Sequence, residues 1–521
     1  MTRRYLLALD NGTQSVRALL FDLQGNLVAK AQEKLAPPYA SPRPGWAEQD
    51  PELFWQALCR ASKRLLAEHP LEEGQLLAAS LTTQRGTFVH LDEVGRPLRP
   101  AMVWPDSRRQ ERLAPLPWYW RWPLRLAGQL GTVQYFRGEA EANWVQANQP
   151  EVDENSRHKG LLSAWLTLKL TGRFRDAVAG QVGYLPFSYR HQQWAARWDW
   201  KWWALAVKRE QLPELVRAGE LLGELSPAAA LATGLPEGLP LIAAGGDKQC
   251  EVLGSGAHEL EVACVSLGTT ATVSVTTPFY MEAVRFLPPY PAVVPGHYCV
   301  EMQLSRGFWL LSWLLREFGQ AEVAEAERRG VAPEQVVCEL IEQVPPGCEG
   351  LVVEPHWAPG IIYPGPEARG AVLGFREQHG RAHLYRAVIE GICFALRQGK
   401  ERIEKASGRP ISRLLISGGG AQSDVVMQIA ADVLNLPAER PHTFETSGLG
   451  AAMAAAVGVG AYTSFAQASA KMCRNDKVFW PHPEHARHYQ QLYKSVYRPA
   501  YGRLKPLYQR LRRLLEKEPP R

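Results

Sequence analysis

Two short segments almost half the chain apart carry residue types suited to holding phosphate. Leu9-Asp10-Asn11-Gly12-Thr13-Gln14-Ser15 lies between the apolar runs Tyr5–Leu9 and Val16–Phe21, and Val265-Ser266-Leu267-Gly268-Thr269-Thr270 lies between Leu260–Val265 and Ala271–Val275. Each reads as strand, tight glycine turn, strand. Such a hairpin offers backbone N–H groups and a threonine hydroxyl to an anion, and a glycine free to take positive φ lets those donors come close. One copy alone would be an ordinary hairpin; two point to a nucleotide's phosphates gripped between two similar domains. The chain has no Walker A segment and no G-x-G-x-x-G between a strand and a helix, so a P-loop or dinucleotide site is not supported.

The elements that must position these hairpins follow from periodicity. Residues 5–32 predict a three-strand meander, Tyr5–Asp10, Val16–Asp22 and Leu27–Gln32, and Pro51–His69 has helical spacing. Leu77–Leu81 and Thr87–Leu91 read as strands around Thr83-Gln84-Arg85-Gly86, with another at Pro100–Trp104. Farther on, helices are expected at Gly307–Phe318, Arg381–Ala406 and Ala421–Leu434, with a strand at Arg413–Ser417 before Gly418-Gly419-Gly420. This alternation is that of an α/β protein. The tryptophan-rich runs 118–122 and 194–203 are read as aromatic packing under loops or on helices.

At 521 residues the chain is long enough for two or more domains. It is 46% hydrophobic and 21% charged, an ordinary globular composition, with no apolar run of membrane-spanning length. Met1-Thr2-Arg3-Arg4 leads into a strand without a signal-peptide pattern, so a cytoplasmic location is expected. The eight cysteines are scattered, with no C-x-x-C pair. Residues 498–521 hold eight Lys/Arg and two Asp/Glu, a charge equal to the +6 of the whole chain. Their apolar stripe, Tyr501, Leu504, Tyr508, Leu511 and Leu515, predicts a helix packed on the body with a solvated basic face rather than a nucleic-acid or membrane contact.

With these segments in place, the chain resembles the FGGY carbohydrate kinases, sugar and polyol kinases of the actin-like ATPase superfamily. The likeness runs from Tyr5 to about Val457. Its most specific part is Gly370-Ala371-Val372-Leu373-Gly374-Phe375, followed after seven residues by His383-Leu384-Tyr385-Arg386-Ala387-Val388-Ile389-Glu390; Phe375 replaces the usual aliphatic residue. In the N-terminal signature Trp144 is present, but Glu141 stands where the family normally has lysine.

The resemblance implies two actin-like ATPase (ribonuclease H-like) α/β domains flanking a cleft: a sugar-binding domain at residues 1–250, an ATP-binding domain at 251–480, and a basic helical extension at 481–521. It implies ATP and Mg²⁺, with Gly12, Thr13, Arg17, Gly268 and Thr269 at the phosphates. Gly418, Gly419, Gly420, Ala421 and Ser423 would lie along the adenosine. Asp247, in Ala244-Gly245-Gly246-Asp247-Lys248-Gln249, matches the family's catalytic base, although an isolated Gly-Gly-Asp is most simply a turn. Asp10, with Asp247, would hold the metal largely through water.

The acceptor would meet Gln84, Arg85, Trp104 and Asp106. Glycerol kinases typically carry Arg-Glu where this chain has Arg85-Gly86, and xylulose kinases tend to show Met-His after the glutamine; neither pattern is here. Lys248 is a further departure, read either as a turn lysine facing solvent or as a cation entering the acceptor pocket. The implied activity is phosphoryl transfer from ATP to a hydroxyl of a small sugar, ketose or polyol. A catalytically weak sugar-binding regulator and a sugar acid or glycerol as substrate are the alternatives. Partners are limited to these small molecules, with a homodimer possible.

Overall fold

In the computed structural model, which describes residues 4–360 and 363–515, two mixed sheets repeat one strand plan. The first is built from β1 (Tyr5–Asn11), β2 (Ser15–Asp22), β3 (Leu27–Lys34), β4 (Leu76–Thr83), β5 (Leu221–Glu224) and β6 (Pro240–Gly246), ordered β5-β6-β4-β1-β2-β3. The second comprises β7 (Val262–Leu267), β8 (Ala271–Thr277), β9 (Tyr290–Pro291), β10 (Tyr298–Leu304), β11 (Arg413–Ser417), β12 (Ala438–Pro441) and β13 (Asn475–Phe479), ordered β9-β10-β8-β7-β11-β12-β13.

In each sheet an antiparallel meander, β1-β2-β3 or β7-β8-β10, is extended by two parallel strands and closed by an antiparallel one. The hairpin echo seen in the sequence is therefore the local trace of a whole-lobe repetition. Both hairpins leave the same end of the parallel strands in their sheets.

All seven residues of β1 are buried, as a central strand covered on both faces requires. One face carries α1 (Pro51–Glu68), started by proline at its first turn and by Asp50, whose side chain accepts the Glu52 N–H. The other face belongs to the lobe junction. There α2 (Asp247–Gly254) packs against a helix from far down the chain, Thr446–Gly458, which also lies on β1, β4 and β6. Leu449 through Ala456 are fully buried, so the alanine-rich stretch is a junction helix. A Cβ on Gly254 would meet the Thr446 carbonyl oxygen at 2.0 Å, and one on Gly450 the Cys250 carbonyl oxygen at 2.0 Å. The two helices thus cross with backbones in contact.

Further helices of the second lobe include, in chain order, α3 (Arg381–Ser407), α4 (Asp424–Leu434), α5, which is the junction helix Thr446–Gly458, and α6 (Arg498–Leu515). Tyr489, Tyr493 and Tyr497 are buried in the second lobe's core around Phe394 of α3. On α6 the predicted stripe packs through Tyr501, Leu504 and Tyr508, while Leu511 and Leu515 stand about half exposed. Residues 516–521 of the predicted extension lie outside the described residues.

The expected aromatic packing is only partly realised. The helix Trp118–Leu126 buries no residue, and Trp118 and Trp122 are 73% and 54% exposed; its packing is limited to contacts such as Leu124 on the cluster of Leu116, Val133 and Ala204. Trp194 and Trp202 do pack, against the cluster around Phe187. Among the described residues no helix is long and apolar enough to cross a membrane.

Candidate active site

Strand register brings three segments to one edge of the first sheet. β1, β4 and β6 run parallel, with Asp10 opposite Thr82, Asn11 opposite Thr83 and Gly246 opposite Thr83. Asp10, Gln84-Arg85 and Asp247 therefore emerge side by side, although they are far apart in sequence. On the second sheet Ser266 pairs with Ser417, so the Gly268 hairpin and the Gly418 turn also leave together. A Cβ on Gly418 would lie 2.8 Å from the Leu267 carbonyl carbon.

Asp247 opens α2 and accepts the Lys248 N–H at 2.8 Å. Burial raises its pKa, while Arg85 and Lys248 pull it down, and the balance lies above an ordinary aspartate. Asp10 is pushed up to about 7, first by burial, with Arg17 opposing and Asp247 and Glu445 adding to the rise. Arg17 stands 3.3 Å from Asp10 and 3.2 Å from Glu445, and Lys30 pairs with Glu445 as well. Glu445, just ahead of α5, thus joins the second lobe to the first glycine hairpin. Sequence reading missed it, because only tertiary packing brings it to Arg17.

Several expectations are corrected. Neither Gly12 nor Gly268 takes a positive φ; their value is space, since a Cβ on Gly12 would press on the Ser15 carbonyl oxygen at 3.3 Å. The Thr13 hydroxyl donates to Gln84 Oε1 at 2.6 Å and accepts from Trp104 Nε1 at 2.8 Å, tying the first hairpin to acceptor-side residues. Its counterpart Thr269 is exposed. The helix expected from Ala421 begins at Asp424, after a 3₁₀ turn over Gly419–Gln422, and the Ser423 hydroxyl caps it.

Asp106 is no free ligand: its carboxylate takes the Ala47 N–H at 2.7 Å and Arg108 through both oxygens, and Arg108 lies 3.7 Å from the Trp46 ring centre. It shapes the loop that presents Trp104. Lys248 neither faces solvent nor enters an acceptor pocket. Its Nζ lies 2.6 Å from Glu251 Oε2 and 2.7 Å from Ser266 Oγ, and Ser417 Oγ donates to Glu251 Oε1. One buried polar group therefore fastens the helix bearing Asp247 to both strands that lead into the second-lobe glycine turns. Glu251 went unremarked in the sequence, though its i, i+3 spacing from Lys248 was visible there.

Around Arg85, the atoms Gln84 Nε2, Arg85 Nη1 and Glu301 Oε2 are buried without a hydrogen-bond partner. Unpaired buried polar atoms are costly, and their clustering marks a place built for a polar ligand. By contrast, the Asp432–His482–His485 group satisfies itself: Asp432 accepts the His482 N–H at 2.7 Å, Gln428 Nε2 at 2.9 Å and His485 at 2.9 Å. It borders a cavity of about 730 Å³ lined by Asp424, Lys477 and Trp480, and none of Asp10, Arg85, Asp247, Gly268 and Gly418 lines that cavity.

Twin sheets of this topology, each ending in a glycine hairpin, define the two-domain actin-like ATPase fold. The comparisons carry this to a family: residues 5–254 match the N-terminal domain and residues 263–459 the C-terminal domain of the FGGY family of carbohydrate kinases. The chain belongs to that family. It is 28% identical over 502 residues to the uncharacterised sugar kinase YgcE of Escherichia coli, covering 96% of this chain and 93% of that one. It is 30% identical over 508 residues to a xylulose kinase of Lactococcus lactis, covering 95% and 96%. The structure of a gluconate kinase from Lactobacillus acidophilus superposes with a TM-score of 0.79 at 20% identity, covering 99% of both chains.

Proposed function

We propose that the protein transfers the γ-phosphate of ATP to a hydroxyl of a small sugar, ketose or polyol, with Asp247 as the general base. The observation that carries this reading is the register that sets Asp247 beside Asp10 and Arg85 at one end of the first sheet, with the next residue, Lys248, bonded to Ser266 ahead of the second hairpin. Phosphoryl transfer needs little beyond positioning and charge stabilisation. The acceptor oxygen forms the new P–O bond as its proton passes to Asp247; the bond to the leaving oxygen breaks and ADP keeps the electron pair. An aspartate made more basic by burial suits that role.

The two hairpin turns at Gly12 and Gly268 would meet the phosphates, the Gly12 N–H itself being taken by the Ser15 carbonyl oxygen at 3.0 Å, and the turn from Gly418 to Ala421 would meet the adenosine. The residues fit Mg²⁺: the Asp10 carboxylate is buried and undercompensated, and Asp247 adds to the strain on its charge. Asp10 and Asp247 would hold the ion largely through water, and when bound it would neutralise charge on the phosphates.

Gly86 bears on the acceptor. It takes φ +65°, with the Trp104 Cβ only 3.8 Å from where its own Cβ would stand. A glutamate there, as glycerol kinases carry, would be strained, which counts against glycerol. Turnover on a panel of ketoses, polyols, glycerol and aldonates tests the reading. Asp247→Asn should lower kcat ~100-fold or more while leaving ATP binding by calorimetry nearly unchanged. Sugar binding without turnover on any acceptor would favour a regulatory protein instead.

A further inference from the structure

Arg85 has two carboxylates within reach, and they belong to different lobes. Asp247 is its neighbour within the first lobe, since both residues follow the paired ends of the adjacent strands β4 and β6. Parting the lobes leaves that proximity intact. Glu301 comes from the second sheet, where it pairs with Ser274 across the β8–β10 ladder, and it meets Arg85 only while the lobes stand together.

In the structure the guanidinium has gone to the second lobe. Arg85 Nη2 is 2.9 Å from Glu301 Oε1, whereas its Nε is 3.9 Å from Asp247 Oδ1. Tyr290 of β9 adds a ring 5.3 Å from Cζ. Burial works against the Arg85 charge, and Glu301, Tyr290 and Asp247 together outweigh it, Glu301 foremost. Yet the buried Arg85–Glu301 pair rests on one hydrogen bond, with Arg85 Nη1 and Glu301 Oε2 left unpartnered. A contact of that kind is readily exchanged for another.

We propose that Glu301 is a positioning residue contributed by the second lobe: on closure it draws the Arg85 guanidinium off Asp247 and frees that carboxylate for the acceptor hydroxyl. With the lobes apart, Arg85 falls back on Asp247 and occupies its oxygens, so water is not activated before an acceptor is enclosed. The other charged groups around Asp247 are held in place. Lys248 and Glu251 on α2 are bonded to one another and to Ser266 and Ser417, and Asp10 on β1 is paired with Arg17. Arg17 also meets a carboxylate from each lobe, Asp10 and Glu445, but Arg85 is the cation whose exchange of partners bears on Asp247. The inference rests on the reading of Asp247 as the base.

Its first test needs no substrate. In a crystal structure of the near-isosteric Glu301→Gln variant, an Arg85 nitrogen should close to hydrogen-bond distance of Asp247, while Glu301→Asp, which keeps the charge, should not show this collapse. An Arg85–Asp247 separation in Glu301→Gln unchanged from wild type would overturn the proposal, whatever the fate of the kinase reading. The second test is acceptor-independent hydrolysis of Mg-ATP. Glu301→Gln should slow it about tenfold, and adding Arg85→Gln should restore part of the loss by removing the trapped cation. A double variant no faster than Glu301→Gln would show that Glu301 acts through structure or binding alone.

Discussion

Asp10 carries a charge that its surroundings only partly compensate, and this has a signature in solution. Its folded pKa is raised from 3.8 to about 7. The linked stabilisation is fully present below 3.8 and is lost as pH rises through about 7, where burial must accommodate the anion. Asp10→Asn should therefore gain on the ligand-free wild type as pH rises from 5 to 8, by about 2–3 kcal/mol. Melting curves at both pH values check this; an equal difference at each would mean that Asp10 titrates like an exposed aspartate. Lys248 behaves oppositely, since it completes a buried pair with Glu251 at 20% and 8% side-chain exposure. Lys248→Met should destabilise by about 3–5 kcal/mol in chemical denaturation by stranding Glu251. A loss under 1 kcal/mol would show that the hydroxyls of Ser266 and Ser417 suffice.

The element that couples the lobes is the α2–α5 crossing, and its closeness depends on glycine at 254 and 450. Gly450→Ala should force the helices apart and cost about 1–3 kcal/mol, as overpacked contacts do. The displacement would also move Asp247 at the start of α2, so kcat should fall more than ATP affinity. Unchanged melting and kcat would mean that the junction yields without consequence. At this scale much was legible in the sequence. The strands of the first meander, the strand Arg413–Ser417 and the long helix from Arg381 are set by local periodicity, and the structure forms them. What escaped was tertiary: the helix α5, buried along nearly its whole length, lies on the opposite lobe's sheet, and Ala421 sits in a 3₁₀ turn because the Ser423 cap delays α4.

For the whole molecule, the repeated strand plan explains why two like hairpins occur: each leaves the corresponding strands of a duplicated sheet. The glycine-threonine spacing revealed that duplication. The cross-lobe partners Glu301 and Glu445 left no trace in spacing, because Arg85 and Arg17 reach them only through assembly of the two sheets. Lys248 was misplaced for the same reason, its partner Ser266 lying on the other sheet's central strand. The central claim is that both hairpins deliver a terminal phosphoryl group to Asp247. A crystal structure with Mg²⁺ and a non-hydrolysable ATP analogue tests it most directly. The γ-phosphate should lie between Gly12 and Gly268, within about one hydroxyl group's reach of the Asp247 carboxylate. A nucleotide seated instead in the cavity beside Asp424 and Lys477, its phosphates remote from both glycines, would contradict the account.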